Sequence, residues 1–194
     1  MQQLLVLRIE CTSSLYSKTD KNKPFSVESK TMNIFFLSLD PQQAAEYHCD
    51  KHVVKMIIET AQLLYCAHWV LPNTSLPENA YKKTHMNHPC SRWVRTSLSN
   101  YRWLCKLGWY LCREYEYRYS KIHKTESHII WLIKNHPAEI PDIGFTSPPQ
   151  AMPDEYKDSN FITAYHTFYR ESKMKDRNIV TYKKRDFPKF LVTM

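Results

Sequence analysis

Two long stretches of this sequence repeat apolar residues at the spacing of an α-helix, and this repeat restricts the chain to a largely helical fold. Residues 40–71 open with an Asp-Pro pair and end before a Pro-Asn pair. Residues 88–119 open with a His-Pro pair. Aspartate is a good N-cap, and proline fits the first helical turn, where a missing N–H costs nothing. The apolar period is helical rather than that of a strand, so the sequence predicts two long helices.

Two shorter helices and a proline-rich loop complete the predicted fold. One short helix begins at Thr125 and ends before Pro137, and the other spans about 159–173. The loop between them, residues 137–157, is rich in proline and is predicted to be long and ordered or lid-like. Residues 32–40, MNIFFLSLD, predict a buried strand or an extended segment. We therefore predict a mainly α, single-domain helical bundle.

The chain is expected to divide into three parts. Residues 1–31 are polar over most of their length and predict a flexible leader. Residues 32–185 form the helical, nucleic-acid-binding domain, and residues 186–194 form a tail. The organised sequence begins at Met32, which could also serve as an alternative start of translation. Gly108 lies inside the second long helix and suggests that another helix crosses closely there.

The composition excludes some classes of protein and favours others. Only 2 glycines occur in 194 residues, which excludes the glycine-rich phosphate loops of Rossmann and P-loop proteins. The formal net charge is +8 and the pI about 9.1, which favours a polyanionic partner, nucleic acid first. Many basic proteins nevertheless bind nothing specific.

The cysteines and the apolar runs indicate the cellular compartment in which we expect the protein. The six cysteines contain no CxxC pair, so we predict free thiols in a reducing compartment. The N-terminal run MQQLLVLRIE is too short and too charged for a signal peptide, and the sequence contains no run long enough for a membrane span. We expect a monomer inside the cell, cytoplasmic or nuclear, and not bound to a membrane.

A polar stripe runs along the first long helix. Its members are spaced by three or four residues and therefore share one helical face: His48, His52, Lys55, Glu59 and Gln62. The opposite face carries an apolar core stripe: Ala45, Cys49, Val53, Met56, Ile57, Leu64 and Ala67. The polar stripe is either a solvated surface or a functional site. Solvated faces seldom carry two histidines one turn apart, which favours the functional interpretation.

A second histidine cluster, THMNHPC, precedes the second long helix. His85 and His88 lie in a loop that leads into a helix N-terminus, where free N–H groups suit phosphate or another anion. His48 and His52, at i,i+4, could also bind zinc together with His85 and His88, or with Cys90. The pattern lacks a glutamate directly after the first histidine and paired cysteines. We therefore predict no cofactor, with zinc as the alternative.

Aromatic and cationic residues alternate in EYEYRYSKIHK, residues 114–124. This mixture suits stacking on bases and pairing with phosphates, and it equally suits the basic end of a helix with half-buried tyrosines. The predicted nucleic-acid contacts are Arg92, Arg95, Arg118, Lys121, Lys124, Tyr117 and Tyr119. The later basic run YKKRDFPKF is expected to be a solvated tail.

Several of these motifs resemble known proteins. The stretches DPQQAAEYHCDKHVVKMIIETAQLL, THMNHPCSRW and EYEYRYSKIHKTE are similar to a group of small phage and large-virus proteins, over residues 32 to about 185. More distantly, NHP followed by a helix ending in E…RY.K resembles the small all-α pyrimidine-dimer DNA glycosylases of the endonuclease V type. That second resemblance is patchy and rests on order and spacing.

The glycosylase resemblance implies a specific chemistry. Such enzymes flip a nucleotide out of the duplex, attack the sugar C1′ with an amine, and form an imine that permits strand cleavage, assisted by a carboxylate. Glu59 would be the carboxylate. The nucleophile of that family is the α-amino group of an N-terminal threonine, whereas here Met32 is followed by Asn33. The sequence therefore points to Lys51, or Lys55, beside the histidines as the amine.

Three hypotheses follow from the sequence. The first is a DNA glycosylase, with or without lyase activity, or a related base- or nucleotide-acting hydrolase; it acts on double-stranded DNA, and its centre comprises His48, His52, Lys51, Glu59 and His88. The second is a metal-dependent hydrolase or nuclease that uses the histidines. The third is a non-enzymatic nucleic-acid-binding or host-interaction module, whose binding would fall steeply with salt.

Overall fold

The computed structural model describes residues 32–175 and 180–192. The predicted leader, residues 1–31, lies outside the described residues. The model is 55% helical, and the part of the chain that it describes contains no strand. The fold is therefore mainly α, as predicted, and is a helical bundle.

The described residues contain seven α-helices, which form the bundle. In chain order they are α1 (Pro41–Glu46), α2 (Asp50–Val70), α3 (Pro89–Thr96), α4 (Leu98–Tyr119), α5 (Glu126–Lys134), α6 (Phe161–Phe168) and α7 (Lys189–Val192). A 3₁₀ turn covers Asp154–Tyr156, and a π-helical segment, Tyr169–Lys173, continues α6. Helix α2 packs against α3, α4 and α5, while α1 packs against α4.

The first long stretch is two helices rather than the single helix predicted. Cys49 adopts an extended conformation, with φ −66° and ψ 162°, and so interrupts the helix. Its backbone N–H donates to the Tyr169 hydroxyl at 2.9 Å, and the Asp50 N–H donates to the Thr181 carbonyl at 2.9 Å. Both acceptors are more than a hundred residues away in sequence, so tertiary contacts stabilise a break that local patterns do not reveal.

The second long stretch is also divided, at Ser97. This residue is extended, with φ −146° and ψ 141°, and its hydroxyl accepts from the Ser99 N–H at 3.3 Å. The same hydroxyl donates to the Gly144 carbonyl at 2.6 Å, and the Leu98 N–H donates to the Pro141 carbonyl at 2.9 Å. Docking of the proline-rich loop therefore takes up the backbone groups that a continuous helix would have used.

The predicted core stripes are buried. All seven residues of the apolar face on the first stretch are at most 3% exposed: Ala45, Cys49, Val53, Met56, Ile57, Leu64 and Ala67. On the second stretch, Trp93, Val94, Tyr101, Leu104, Cys105, Leu111 and Cys112 are buried, and Leu98 is half-buried. The helical period of the sequence thus located the core correctly.

Helices α2 and α5 both approach α4 closely at Gly108, as its position in the sequence suggested. A Cβ atom at Gly108 would lie 2.8 Å from Thr60 Cγ2 and 2.9 Å from Ile129 Cδ1. Both distances are shorter than real Cβ contacts. Glycine is therefore required here by the space between three helices.

We expect Gly108→Ala to destabilise the fold although alanine is the better helix former. Overpacking costs about 1–3 kcal/mol, while the gain in helix propensity is about 1 kcal/mol, so we expect a net loss of up to about 2 kcal/mol. Urea unfolding followed by circular dichroism measures it. Thr60→Ser removes one of the two clashing methyl groups, so the double variant Gly108→Ala/Thr60→Ser should recover part of the loss. If the effects of the two substitutions on the free energy of unfolding are simply additive, the proposed contact is contradicted.

The segment before α1 is an extended, buried chain rather than a strand. Ile34, Phe36 and Leu37 are at most 1% exposed. The Phe36 ring stacks on Trp103 with ring centroids 4.8 Å apart. The segment therefore runs through the interior and brings Met32, which is 5% exposed, into the core.

Residues 180–192, here called the C-terminal segment, are docked rather than solvated as the sequence suggested. The Tyr182 hydroxyl donates to the Tyr47 carbonyl at 2.9 Å, and the Lys183 N–H lies 3.1 Å from both carboxylate oxygens of Asp50. Leu191, inside the predicted tail, is 9% exposed. The basic run therefore closes over the N-terminus of α2.

The cysteine prediction is confirmed for the described part of the chain. Cys49, Cys66, Cys90, Cys105 and Cys112 are free and buried, and Cys11 lies outside the described residues. None of the helices found there is long and apolar enough to cross a membrane.

Candidate functional site

The carboxylate of Glu59 is the centre of a buried polar group that reaches the surface through Lys55. Glu59 lies on the third turn of α2 and is 9% exposed. Its Oε1 pairs with Lys55 Nζ at 2.9 Å, and its Oε2 accepts from the backbone N–H of Asn33 at 3.3 Å. Lys55 keeps 57% of its side chain exposed. The carboxylate is thus held from inside while its amine partner faces solvent.

Asn33 connects the buried lead-in segment to this carboxylate. Its side-chain amide donates to the Ala151 carbonyl at 3.0 Å, and its Oδ1 accepts from the Ile34 N–H at 2.8 Å. The Cys90 thiol lies 3.6 Å from the same oxygen. These contacts fix the backbone of Asn33 next to Glu59, so the beginning of the described chain is part of the site.

His88 lies beside the site at the N-terminus of α3. Its Nδ1 accepts from the Cys90 N–H at 3.2 Å, which leaves Nε2 to carry the proton of the neutral ring. Burial lowers the pKa of His88, as does His85, while the Glu59 carboxylate acts in the opposite direction. His85 is exposed and left-handed, with φ 49°. His88 is therefore a neutral imidazole within electrostatic range of the Glu59 carboxylate.

His48 and His52 have structural partners. The His52 Nδ1 accepts from the Tyr169 hydroxyl at 2.8 Å, and its ring stacks on Phe35 at 4.9 Å. His48 Nδ1 donates to the Ala44 carbonyl at 2.6 Å. Burial lowers the pKa of His48 to about 4 and that of His52 to about 3. Both rings are therefore neutral near pH 7, inside the protein and at the break between α1 and α2.

The four histidines of the zinc alternative do not converge. Among the residues that the structure describes, no three or more histidine, cysteine, aspartate or glutamate side chains are arranged to hold a metal ion. His85 and His88 face each other with ring centroids 6.5 Å apart, whereas His48 and His52 contact Phe35 and Tyr169.

The structure also separates the two candidate amines. Lys55 contacts Glu59. Lys51 lies about two turns before Glu59 on α2, which is about 12 Å along the helix axis at 1.5 Å per residue. Lys51 is exposed and belongs to the first turn of α2. Of the two lysines named from the sequence, Lys55 is the one placed to act with the carboxylate.

Arg118 is engaged inside the protein rather than available to a phosphate. It is 3% exposed. Its guanidinium donates to Glu114 at 2.8 Å, to Asp50 at 3.1 Å, and to the carbonyls of His48 and Glu46 at 2.8 and 3.0 Å. Arg185 of the C-terminal segment completes the group by pairing with Glu114. We call these four side chains, Asp50, Glu114, Arg118 and Arg185, the buried ion network.

The tyrosines predicted to stack on bases are partly covered by the C-terminal segment. The Arg185 guanidinium lies over the Tyr117 ring, 4.7 Å from its centroid. Lys183 Nζ lies over the Tyr119 ring, 4.9 Å from its centroid. Tyr117 nevertheless remains 47% exposed. Their cation partners thus come from the protein itself.

The remaining predicted cations lie at two places. Arg92 and Arg95 follow His88 on α3, Arg92 exposed and Arg95 half-buried. Lys121 and Lys124 are exposed in the turn between α4 and α5. The α3 pair lies on the helix that begins after His88, and the turn pair lies at the C-terminal end of α4.

Sequence patterns missed the residues that hold the site together. Asn33 and Tyr169 make long-range bonds to Glu59 and His52, and the Tyr165 hydroxyl donates to the Pro149 carbonyl at 2.8 Å, within 3.4 Å of Asn33 Oδ1. The one available signal was Asn33, a polar residue within an otherwise apolar run. Tyr165 and Tyr169 look like ordinary core positions of a helix.

Compared with models of known protein families, with curated proteins and with solved structures, the chain has no significant match.

Proposed function

We propose that this chain is a DNA-processing enzyme that acts on a damaged or modified base flipped out of double-stranded DNA, by the chemistry of a DNA glycosylase. The observation that supports it is the carboxylate of Glu59, which contacts an amine at 2.9 Å and the Asn33 backbone nitrogen at 3.3 Å. A carboxylate beside an amine at the edge of a basic protein is the minimal apparatus of amine-based glycosylase chemistry.

The proposed reaction uses these two groups in sequence. An amine that has lost a proton to water attacks C1′ of the flipped nucleotide, so that the bond from C1′ to the amine forms as the bond from C1′ to the base breaks. The base leaves with a proton from water, while the carboxylate stabilises the positive charge that develops on the sugar. The carboxylate then manages the protons needed to form an imine, from which the strand can be cut. The buried position of Glu59 strengthens its electrostatic effect relative to water.

Two amines satisfy the geometry in two forms of the chain. In the full chain the amine is Lys55 Nζ. In a chain that begins at Asn33, the free α-amino group would take the place of the backbone nitrogen that is 3.3 Å from Glu59 Oε2. The latter arrangement corresponds to the N-terminal nucleophile implied by the resemblance to the pyrimidine-dimer glycosylases.

The cations near the site would hold the DNA backbone. Lys55 is exposed and contacts Glu59, His85 and Arg92 are exposed on either side of His88 in the sequence, and Lys121 and Lys124 are exposed in the turn after α4. Such contacts position the duplex without reading its sequence. With a net charge of +8, we expect affinity to fall steeply as salt rises, and we place this work inside the cell, in the cytoplasm or nucleus, without a metal or cofactor.

Borohydride trapping on duplex DNA that carries an abasic site or ultraviolet damage tests the proposal. We expect a covalent adduct with the full chain that is lost in Lys55→Arg, since arginine keeps the positive charge but offers no primary amine. Lys51→Arg is the matched control, because it makes the same exchange one helical turn earlier on α2. This variant should retain the adduct. Glu59→Gln should slow adduct formation about 100-fold while leaving DNA affinity unchanged.

A chain beginning at Asn33 separates the two amines. If it forms the adduct and the full chain does not, the α-amino group is the nucleophile and Lys55 is not. If neither form gives an adduct or releases a base, the glycosylase proposal is wrong. DNA binding that persists in that case would favour the non-enzymatic module.

A further inference from the structure

An open apolar groove lies between α4 and α5, away from Glu59 and its neighbours. Its volume is about 480 Å³. The lining residues are Lys106, Trp109 and Tyr110 of α4 and Ile130, Ile133 and Lys134 of α5. In both helices these positions follow the i, i+3, i+4 spacing, so each helix contributes one continuous ridge. Two such ridges form a trough between the helices.

The floor of the groove exposes apolar surface to solvent. Ile133, on this floor, is 42% exposed. Gly108, next to the groove, lets α4 and α5 approach closely, with Ile129 above it. The two helices are therefore held rigidly, and the groove exists before any partner binds.

The charge around the groove is positive. Lys106 and Lys134 belong to its lining, and neither forms an ion pair with a residue that the structure describes. Two carboxylates of the same helices, Glu116 of α4 and Glu126 of α5, are already paired with Arg113. An occupant with carboxylates beside an apolar stripe would complement both features.

The geometry favours a helical peptide over nucleic acid in this groove. The Arg113 guanidinium lies over the Trp109 ring at 4.5 Å, so one face of that ring is already covered and cannot stack on a base. The rest of the floor combines the Tyr110 ring with the aliphatic side chains of Ile130 and Ile133, which suits leucine-like side chains spaced along a helix. Bases instead prefer open aromatic faces.

We propose that the α4–α5 groove docks an acidic amphipathic helix of a partner protein. The partner's apolar residues, at i, i+3 or i+4 and i+7, would enter between the ridges and contact Trp109, Ile130 and Ile133. Its carboxylates would pair with Lys106 and Lys134. This interaction does not rest on the proposed enzyme activity, because none of the groove residues belongs to the Glu59 site.

A designed peptide tests the proposal directly. The probe is a fluorescein-labelled helical peptide with leucines at the stated spacing and glutamates elsewhere, and binding to the full chain is followed by fluorescence anisotropy. A scrambled peptide of identical composition keeps the charge but loses the apolar stripe, so it should bind at least tenfold more weakly. This comparison separates groove binding from simple attraction to a basic protein.

Variants locate the contact. Ile133→Glu should weaken the designed peptide at least tenfold, whereas Ile143→Glu, an equal exchange at an isoleucine that is 64% exposed elsewhere, should not. The double variant Lys106→Glu/Lys134→Glu should prefer a lysine-bearing version of the peptide. Circular dichroism verifies that each variant is folded.

Three results would overturn the proposal. These are equal binding of the designed and scrambled peptides, equal effects of Ile133→Glu and Ile143→Glu, and displacement of the peptide by single-stranded DNA whose own binding is lost in Ile133→Glu. The last would identify the groove as a nucleic-acid surface.

Discussion

Replacing Arg118 with methionine is expected to destabilise the folded chain by about 3–5 kcal/mol, because it removes the ion-pair partner of the buried Asp50 carboxylate and leaves Glu114 with Arg185. Arg118 is 3% exposed and contacts both Asp50 and Glu114. Methionine fills a similar volume, so the loss would come from the unpaired charge and the lost donors to two backbone carbonyls rather than from a cavity. A loss of this size is a large share of the stability of an ordinary domain.

Urea unfolding of Arg118→Met against Arg102→Met measures the effect. Arg102 lies on the same helix and pairs with Asp142 at 3.6 Å, but its side chain is 55% exposed, so its replacement should cost less than about 1 kcal/mol. Neutralising the partners in Asp50→Asn/Glu114→Gln/Arg118→Met should recover part of the loss. If Arg118→Met is as stable as Arg102→Met and instead loses affinity for DNA, the phosphate role expected from the sequence is correct.

Acid should unfold this protein well above the range in which carboxylates titrate. Burial lowers the pKa of His48 to about 4, of His52 to about 3 and of His68 to about 4, against 6.5 in an unfolded chain. Below pH 6.5 the unfolded state therefore binds protons that the folded state does not. The free energy of unfolding therefore keeps its full value above about pH 6.5 and decreases as the pH falls toward 4.

The expected loss of stability follows from the linkage between proton binding and folding. Each group contributes up to about 1.4 kcal/mol per pH unit, so between pH 7 and pH 5 the three rings together should remove on the order of 5 kcal/mol. Urea midpoints measured across this range would show it. In His68→Gln, the amide can still reach the Tyr101 hydroxyl, which His68 contacts at 3.0 Å. This variant should lower the slope of the free energy of unfolding against pH by the contribution of about one proton. An unchanged slope would contradict the assignment.

The helical fold and its core could be predicted because apolar periodicity is a local property. Positions such as Val53 and Leu104 are buried as their spacing indicated. The interruptions at Cys49 and Ser97 could not be predicted, because they depend on acceptors supplied by Thr181, Tyr169 and the proline-rich loop. Hydrogen bonds between distant residues leave no periodic trace in a sequence.

The candidate site was predictable in part for the same reason. The i,i+4 spacing of Lys55 and Glu59 is local, and the structure pairs them. The arrival of Asn33 beside Glu59 depends on how the lead-in segment threads the core. Residue type misled the sequence interpretation at Arg118, since an arginine among tyrosines looks like a surface cation until its partners on other helices are known.

The buried ion network has a consequence for synthesis of the protein. Asp50, Glu114 and Arg118 leave the ribosome well before Arg185, which pairs with Glu114 from 71 residues further along the chain. Until then, two carboxylates and a guanidinium that the finished fold buries remain open to water. The bundle therefore completes its packing only after translation has passed Arg185, and nascent chains stalled before that point should be preferred clients of chaperones.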